Sequence, residues 1–154
     1  MTALNAAKVL IAQLIRPGAR PHTAITIEAF GWLLALEGWL IFSMPSGAAG
    51  ILHLPIPLAA HDTAMVYLRL VGLLIAGLGA LYVVCGRLNA QGFVVASMLD
   101  RPGVPFLMFV LWRMHLCPAV LALGFSLQDG GSFLWTFTAW LSEQKSKDSA
   151  PAPR

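Results

Sequence analysis

The chain has 154 residues, of which 58% are hydrophobic and only 11% charged, against roughly 25% charged in a soluble domain. Mean hydropathy is +0.74, and the net charge of +3 reflects a shortage of acids, not a dense basic patch. These values exclude a soluble globular enzyme, a disordered tail and a nucleic-acid-binding domain, and they define an all-α integral membrane protein. Cys85 and Cys117 both sit in apolar runs, so they suggest neither a disulfide framework nor a zinc cluster.

Residues 1–22 carry Lys8, Arg16 and Arg20 and no acid, with apolar Val9, Leu10, Leu14 and Ile15 between them. That pattern predicts an amphipathic interfacial helix or a basic, acid-poor organelle-targeting segment. It is too weakly apolar before Arg16 to be a secretory signal. A spanning helix needs about 20 mostly apolar residues. The first runs from Thr23 to Met44 and stops at Pro45-Ser46-Gly47; the second runs from about Ala64 to Cys85 and ends at Gly86-Arg87.

From Gly92 to Leu141 two registers compete. In one, Asp100-Arg101-Pro102-Gly103 is a turn, a helix covers Val104–Leu127, and Gln128-Asp129-Gly130-Gly131 is a second turn before a short aromatic interfacial helix. In the other, helices cover about Gly92–Trp112 and Pro118–Leu141, linked by Arg113–Cys117. Charge asymmetry favours the second. Four spans place Lys8, Arg16, Arg20, Arg87, Lys145, Lys147 and Arg154 on one side, and leave only Arg113 in the loops opposite. The predicted architecture is therefore a bundle of four transmembrane helices over 23–141, with three spans plus interfacial helices as the alternative. An amphipathic segment over 1–22 precedes it. A polar tail over 142–154, with Pro151 and Pro153, follows and should not order alone.

Charged side chains at membrane depth are rare and usually face a partner. Glu28 and Glu37 fall in the first span, Arg69 in the second, Arg101 in the third and Asp129 in the fourth. Glu37 precedes Met44 by seven residues and Arg69 follows Ala64 by five, so at ~1.5 Å per residue both lie about 8–10 Å below one surface. Counting the second hairpin in the same way matches Arg101 with Asp129. Glu37–Arg69 and Arg101–Asp129 are the expected ion pairs, structural devices that fix which helices meet, with a proton relay or polar ligand site as the functional alternative. Glu28 stands on the face opposite Glu37 and should meet a basic side chain near the tail-side interface.

Gly72-x3-Ala76-x3-Ala80 is a stripe of small residues suited to close helix packing within the bundle or to a dimer face. His22, His53, His61 and His115 avoid the span centres, so a membrane haem with two facing histidines is not expected. A metal site from the last three lacks supporting Cys/His or carboxylate spacing. Phe133, Trp135, Phe137 and Trp140, with Trp32 and Trp39, read as interfacial belts and lipid-facing ridges, though such rings could also stack a quinone. The loop stretch Ile51–Leu58 is apolar enough to lie in the interface or against another protein. No nucleophile elbow, phosphate-binding glycine loop or metalloprotease helix is present.

Residues 69–87, with an Arg-x-x-Gly start, a later Gly and a Tyr near the end, resemble the second span of small bacterial four-helix membrane proteins. Residues 93–141 look similar as well, through Phe93, Ser97, Arg101, Pro105, Pro118, Asp129 and Leu134-Trp135-Thr136. The resemblance covers about half the chain. It implies four spans with Arg101 and Asp129 inside the bundle, and it implies no chemistry. The basic amino end and Asp100-Arg101-Pro102-Gly103 depart from the pattern.

The functional expectation is a non-catalytic accessory subunit of a multi-subunit membrane complex, of the energy-transducing type found in the mitochondrial inner membrane. It would hold no cofactor beyond structural lipids and would pack against other membrane subunits. Three features point there: the lack of a catalytic constellation, the acid-poor basic amino end, and tails that need a neighbour to order them. The competing expectation is a stand-alone membrane protein, with a bacterial inner membrane as the alternative setting, that binds or moves a lipid, quinone or small solute.

Overall fold

The structure, a computed structural model, describes residues 3–54 and 63–149. Loop residues 55–58, His61 and tail residues 150–154, all invoked above, lie outside the described residues. Among the described residues every regular element is a helix. In chain order these are α1 (Ala3–Ile15), α2 (His22–Ser43), α3 (Pro45–Ile51), α4 (Thr63–Arg87), α5 (Gln91–Asp100), α6 (Gly103–Arg113) and α7 (Ala119–Asp148). Three segments are long and apolar enough to cross a membrane: α2, α4, and α5 with α6 taken together over Gln91–Arg113. The chain is therefore an all-helical integral membrane protein.

The α2–α4 hairpin is the most extensive packing in the molecule. Its seam is made of small residues seven apart: Ala24, Gly31 and Gly38 on α2 face Gly72, Gly79 and Gly86 on α4. Seven residues are two helical turns, so each series forms one straight edge. The two backbones touch along that edge. A Cβ at Gly31 would stand 2.6 Å from the Val83 amide nitrogen, one at Gly72 2.6 Å from that of Phe42, and one at Gly86 2.7 Å from that of Glu28. At Gly38 and Gly79 it would collide with the amide nitrogens of Ala76 and Ala35. Of the stripe singled out in the sequence, Gly72 and Ala76 lie on this contact, whereas Ala80 is exposed. Gly79 and Gly86 continue the edge instead.

The third span bends but does not reverse. Arg101 (φ −56°, ψ −39°) and Pro102 (φ −62°, ψ −23°) keep right-handed helical geometry between α5 and α6. Pro102 and Pro105 lack the amide hydrogens that would continue the ladder, and a kink with the axis preserved is the expected result. Asp100–Gly103 is thus a kink, not the turn of the alternative register. The second turn of that register, at Gln128–Gly131, is also absent: α7 runs unbroken for 30 residues. A helix pairs its own backbone groups, which favours continuing through Gly130 and Gly131 over opening a turn there. The tail differs as well, since Ser142–Asp148 extend α7.

Three helices end in the same way. His53 (φ 52°), Asn89 (φ 50°) and His115 (φ 58°) take the left-handed conformation just past α3, α4 and α6. The next residue's amide then reaches back five residues: Leu54 N to Ala49 O at 2.9 Å, Ala90 N to Cys85 O at 3.0 Å, and Leu116 N to Leu111 O at 2.9 Å. These are Schellman caps. Two of the four histidines therefore have a backbone role.

The backbone contact generates a direct test. Gly38→Leu should lower the unfolding free energy in detergent by about 1–3 kcal/mol or more, read from the denaturant midpoint. Gly77→Leu, where a Cβ meets nothing within 4 Å, should leave the midpoint unchanged.

Candidate functional site

Beside its glycine edge, α2 carries a second series one residue earlier: Thr23, Phe30 and Glu37. One residue is a step of about 100°, which turns this series away from α4. Thr23 and Glu37, with Thr26, face α7, which runs antiparallel to α2. The Thr23 amide donates to Glu143 Oε1 at 2.8 Å, and its hydroxyl lies 3.0 Å from Glu143 Oε2. Thr26 Oγ1 and Thr136 Oγ1 are 3.0 Å apart. Gln128 Nε2 donates to Glu37 Oε2 at 2.8 Å.

The uppermost contact is a helix cap from a distance. α2 begins after Pro21, which makes no side-chain cap bond. The carboxylate of Glu143 takes over, accepting from an amide that has no partner within the helix and placing negative charge at the helix N-terminus.

Arg101 lies at the centre of the bundle and is 1% exposed. Its guanidinium carbon is 4.1 Å from the centroid of the Phe30 ring and 5.2 Å from that of Tyr82. Nη1 donates to Thr136 Oγ1 at 3.2 Å. Arg101 Nε and Nη2 and Ser97 Oγ have no hydrogen-bond partner among the described residues. Tyr82 is flanked edge-on by Phe30 and Phe93, at ring separations of 5.5 and 4.7 Å. The charge is thus held chiefly by aromatic faces and one hydroxyl, an arrangement that strengthens away from water.

Among the described residues, ion pairs form only at Glu28. Arg20 Nη1 reaches its Oε2 at 2.5 Å and Arg87 Nε its Oε1 at 2.8 Å. The same two arginines tie down backbone: Arg20 Nη1 donates to the Gly86 carbonyl at 3.2 Å, and Arg87 Nη1 to that of Leu14 at the end of α1. This knot joins α1, α2 and α4 at the basic end. Its members were separately visible in the sequence, where Glu28 was expected to meet a basic partner.

The two expected cross-helix ion pairs do not form. Glu37 is bonded to Gln128, while Arg69 is half-buried with no ion pair among the described residues. Arg101 is bonded to Thr136; Asp129 lies within its electrostatic reach but makes no ion pair with it. Depth was mismatched in both cases: the seam sets Gly38 against Ala76 and Gly72 against Phe42, which puts Arg69 level with the end of α2 and not with Glu37, and Arg101 meets Thr136, two turns along α7 from Asp129. Azimuth separates the first pair further: Glu37 adjoins Gly38 on the α4 edge and is turned toward α7. Thr23, Thr26, Ser97, Gln128, Thr136 and Glu143 were not singled out from the sequence. An antiparallel register between α2 and α7, in which paired numbers sum to roughly 165, would have found most of them.

At the end away from the basic knot, a cavity of 370 Å³ opens between α2, α3 and α7. Leu36, Leu40, Met44 and Ile51 form its apolar wall, and Glu37 and Gln128 its polar one. Among the described residues no group of three or more His, Cys, Asp or Glu side chains gathers as a metal site. In comparisons with known proteins, no family model, no curated protein and no solved structure matches the chain.

Two substitutions test the contacts that organise the site. Glu143→Ala should cost about 0.5–2 kcal/mol, the usual penalty for a lost N-terminal cap. Thr138→Ala, which loses only a bond to its own helix at Trp135, should not move the unfolding midpoint. Glu28→Gln should free α1 and speed tryptic cleavage after Lys8, within α1, about tenfold, equivalent to about 1.4 kcal/mol of local opening. Unchanged cleavage would show that α1 does not depend on the knot.

Proposed function

We propose that the protein is a four-span, non-catalytic subunit of a larger membrane complex, placed in an energy-transducing assembly of the mitochondrial inner membrane. The observation that carries the reading is the third span. α6 has no buried residue, and Leu99, Phe106, Leu107 and Phe109 of α5 and α6 are all more than half exposed. A span that spends so little surface on its own chain leaves a broad apolar face for neighbouring subunits and lipid.

The ladder between α2 and α7 supports the fourth span. Contacts from Thr23–Glu143 to Glu37–Gln128 keep α7 beside α2 for about 20 Å at ~1.5 Å per residue. The lower hydropathy of α7 arises from Gln128–Ser132, and Gln128 is turned onto Glu37. The basic, acid-poor segment before α2 supports the mitochondrial setting.

A second reading, a stand-alone protein that binds a lipid, quinone or small solute, is favoured by the cavity beside Glu37. Arg101→Met and Asp129→Asn separate the two. Loss of assembly or abundance supports the subunit, whereas normal abundance with lost binding supports the stand-alone protein.

Extraction in mild detergent, native-gel sizing and mass spectrometry of the co-migrating proteins test the leading reading. The expected result is migration within a large assembly; migration alone, at one or two copies, overturns it. Single cysteines at the two termini should label from the same side of the membrane. Labelling from opposite sides would overturn the fourth span.

A further inference from the structure

Glu37 is a carboxylate at membrane depth without a counter-charge among the described residues. One oxygen accepts from the neutral Gln128 side chain, and among the described residues no ion pair reaches it. The buried cation of the bundle, Arg101, is committed to Thr136 and to the Phe30 and Tyr82 rings. Asp129, next to Gln128, lies within electrostatic reach of Glu37 and adds charge of the same sign. An unpaired charge held in an apolar medium is costly, and such residues mark ligand or ion sites. Here the carboxylate borders a space that can hold a ligand.

The rest of the cavity defines what that ligand must be. Leu36 and Leu40 stand four residues apart on one α2 face, Met44 continues the row, and Ile51 of α3 closes it. This is a slot for an extended hydrocarbon chain, and its 370 Å³ lies at the small end of the ~300–1,000 Å³ typical of ligand cavities. One chain fits that volume better than the paired chains of a bilayer phospholipid. An anionic head would be repelled by both Glu37 and Asp129, and a neutral one would leave the carboxylate uncompensated.

We propose that this groove binds a single-chain cationic amphiphile, its hydrocarbon along Leu36, Leu40, Met44 and Ile51 and its ammonium group on Glu37. The inference rests on the small-molecule reading of the groove and adds the charge of the ligand. The ammonium N–H groups donate to the Glu37 carboxylate, while Gln128 holds that carboxylate in place from α7.

The full-length protein in zwitterionic phosphatidylcholine nanodiscs can be titrated with labelled dodecylammonium, dodecanol and dodecyl sulfate, against protein-free discs. Saturable binding of dodecylammonium is expected, at least about tenfold tighter than dodecanol, with no saturable binding of the sulfate. Glu37→Gln keeps a side chain that can still bond to Gln128, and it should bring the ammonium and the alcohol within about twofold of each other at unchanged helicity. Leu40→Trp, which fills the slot, should remove both. Equal binding of ammonium and alcohol by the wild-type chain overturns the charge assignment and leaves the small-molecule reading standing. An ammonium preference that survives Glu37→Gln overturns the assignment to this residue. No saturable binding of any of the three overturns the small-molecule reading and this inference together.

Discussion

Two helix backbones in contact set the geometry of this bundle. Along Ala24, Gly31 and Gly38 on one side and Gly72, Gly79 and Gly86 on the other, no side chain separates α2 from α4. Close approach of this kind gains dispersion energy along the whole seam, which matters in a membrane, where lipid tails cancel the hydrophobic drive between helices. It also removes rotational freedom. Once the glycine edge of α2 is committed, Thr23, Phe30 and Glu37 have one direction left, and that direction is occupied by α7 and Arg101.

The polar interior follows from this orientation. Hydroxyls, one amide and two carboxylates are distributed so that α2 and α7 meet through hydrogen bonds where an apolar pair would have only packing. Arg101 is the most demanding member, because desolvating a guanidinium is expensive unless its surroundings respond to the charge. Phe30 and Tyr82 respond through their π faces, and Thr136 through its hydroxyl oxygen. The kink at Pro102 immediately follows Arg101, so the span bends at the residue it delivers to the centre. Glu28 solves a different problem at the basic end, where a single carboxylate gathers two arginines and, through them, the carbonyls of Gly86 and Leu14.

Much of the helical layout was legible in the sequence. Apolar runs bounded by Pro45, Gly86-Arg87 and Arg113–Cys117 located the ends of α2, α4 and α6 to within two residues, because in a membrane apolar length is itself the structural constraint. The turn-forming clusters at Asp100–Gly103 and Gln128–Gly131 pointed to the register with turns, against apolar length and charge, and the helices run on through both. A continued helix pairs the backbone groups that an open turn would leave unpaired. The ion pairs were misassigned for a separate reason: depth counted from the loops missed the register that the glycine seam imposes on α4, and the azimuth of Glu37 depends on which edge of α2 the glycines claim. Small residues at every seventh position carried that information, whereas the stripe read from the sequence followed a four-residue spacing that ends on the exposed Ala80.

The cap on α2 has a consequence for how the chain is made. The first spanning helix emerges from the ribosome early, yet the oxygen that completes its N-terminus belongs to Glu143, 120 residues later. Until the last helix has been synthesised and packed against α2, the opening turn of the first remains unfinished. A late step in synthesis is thus registered at the first spanning helix, and a chain released before Glu143 leaves that helix end uncapped.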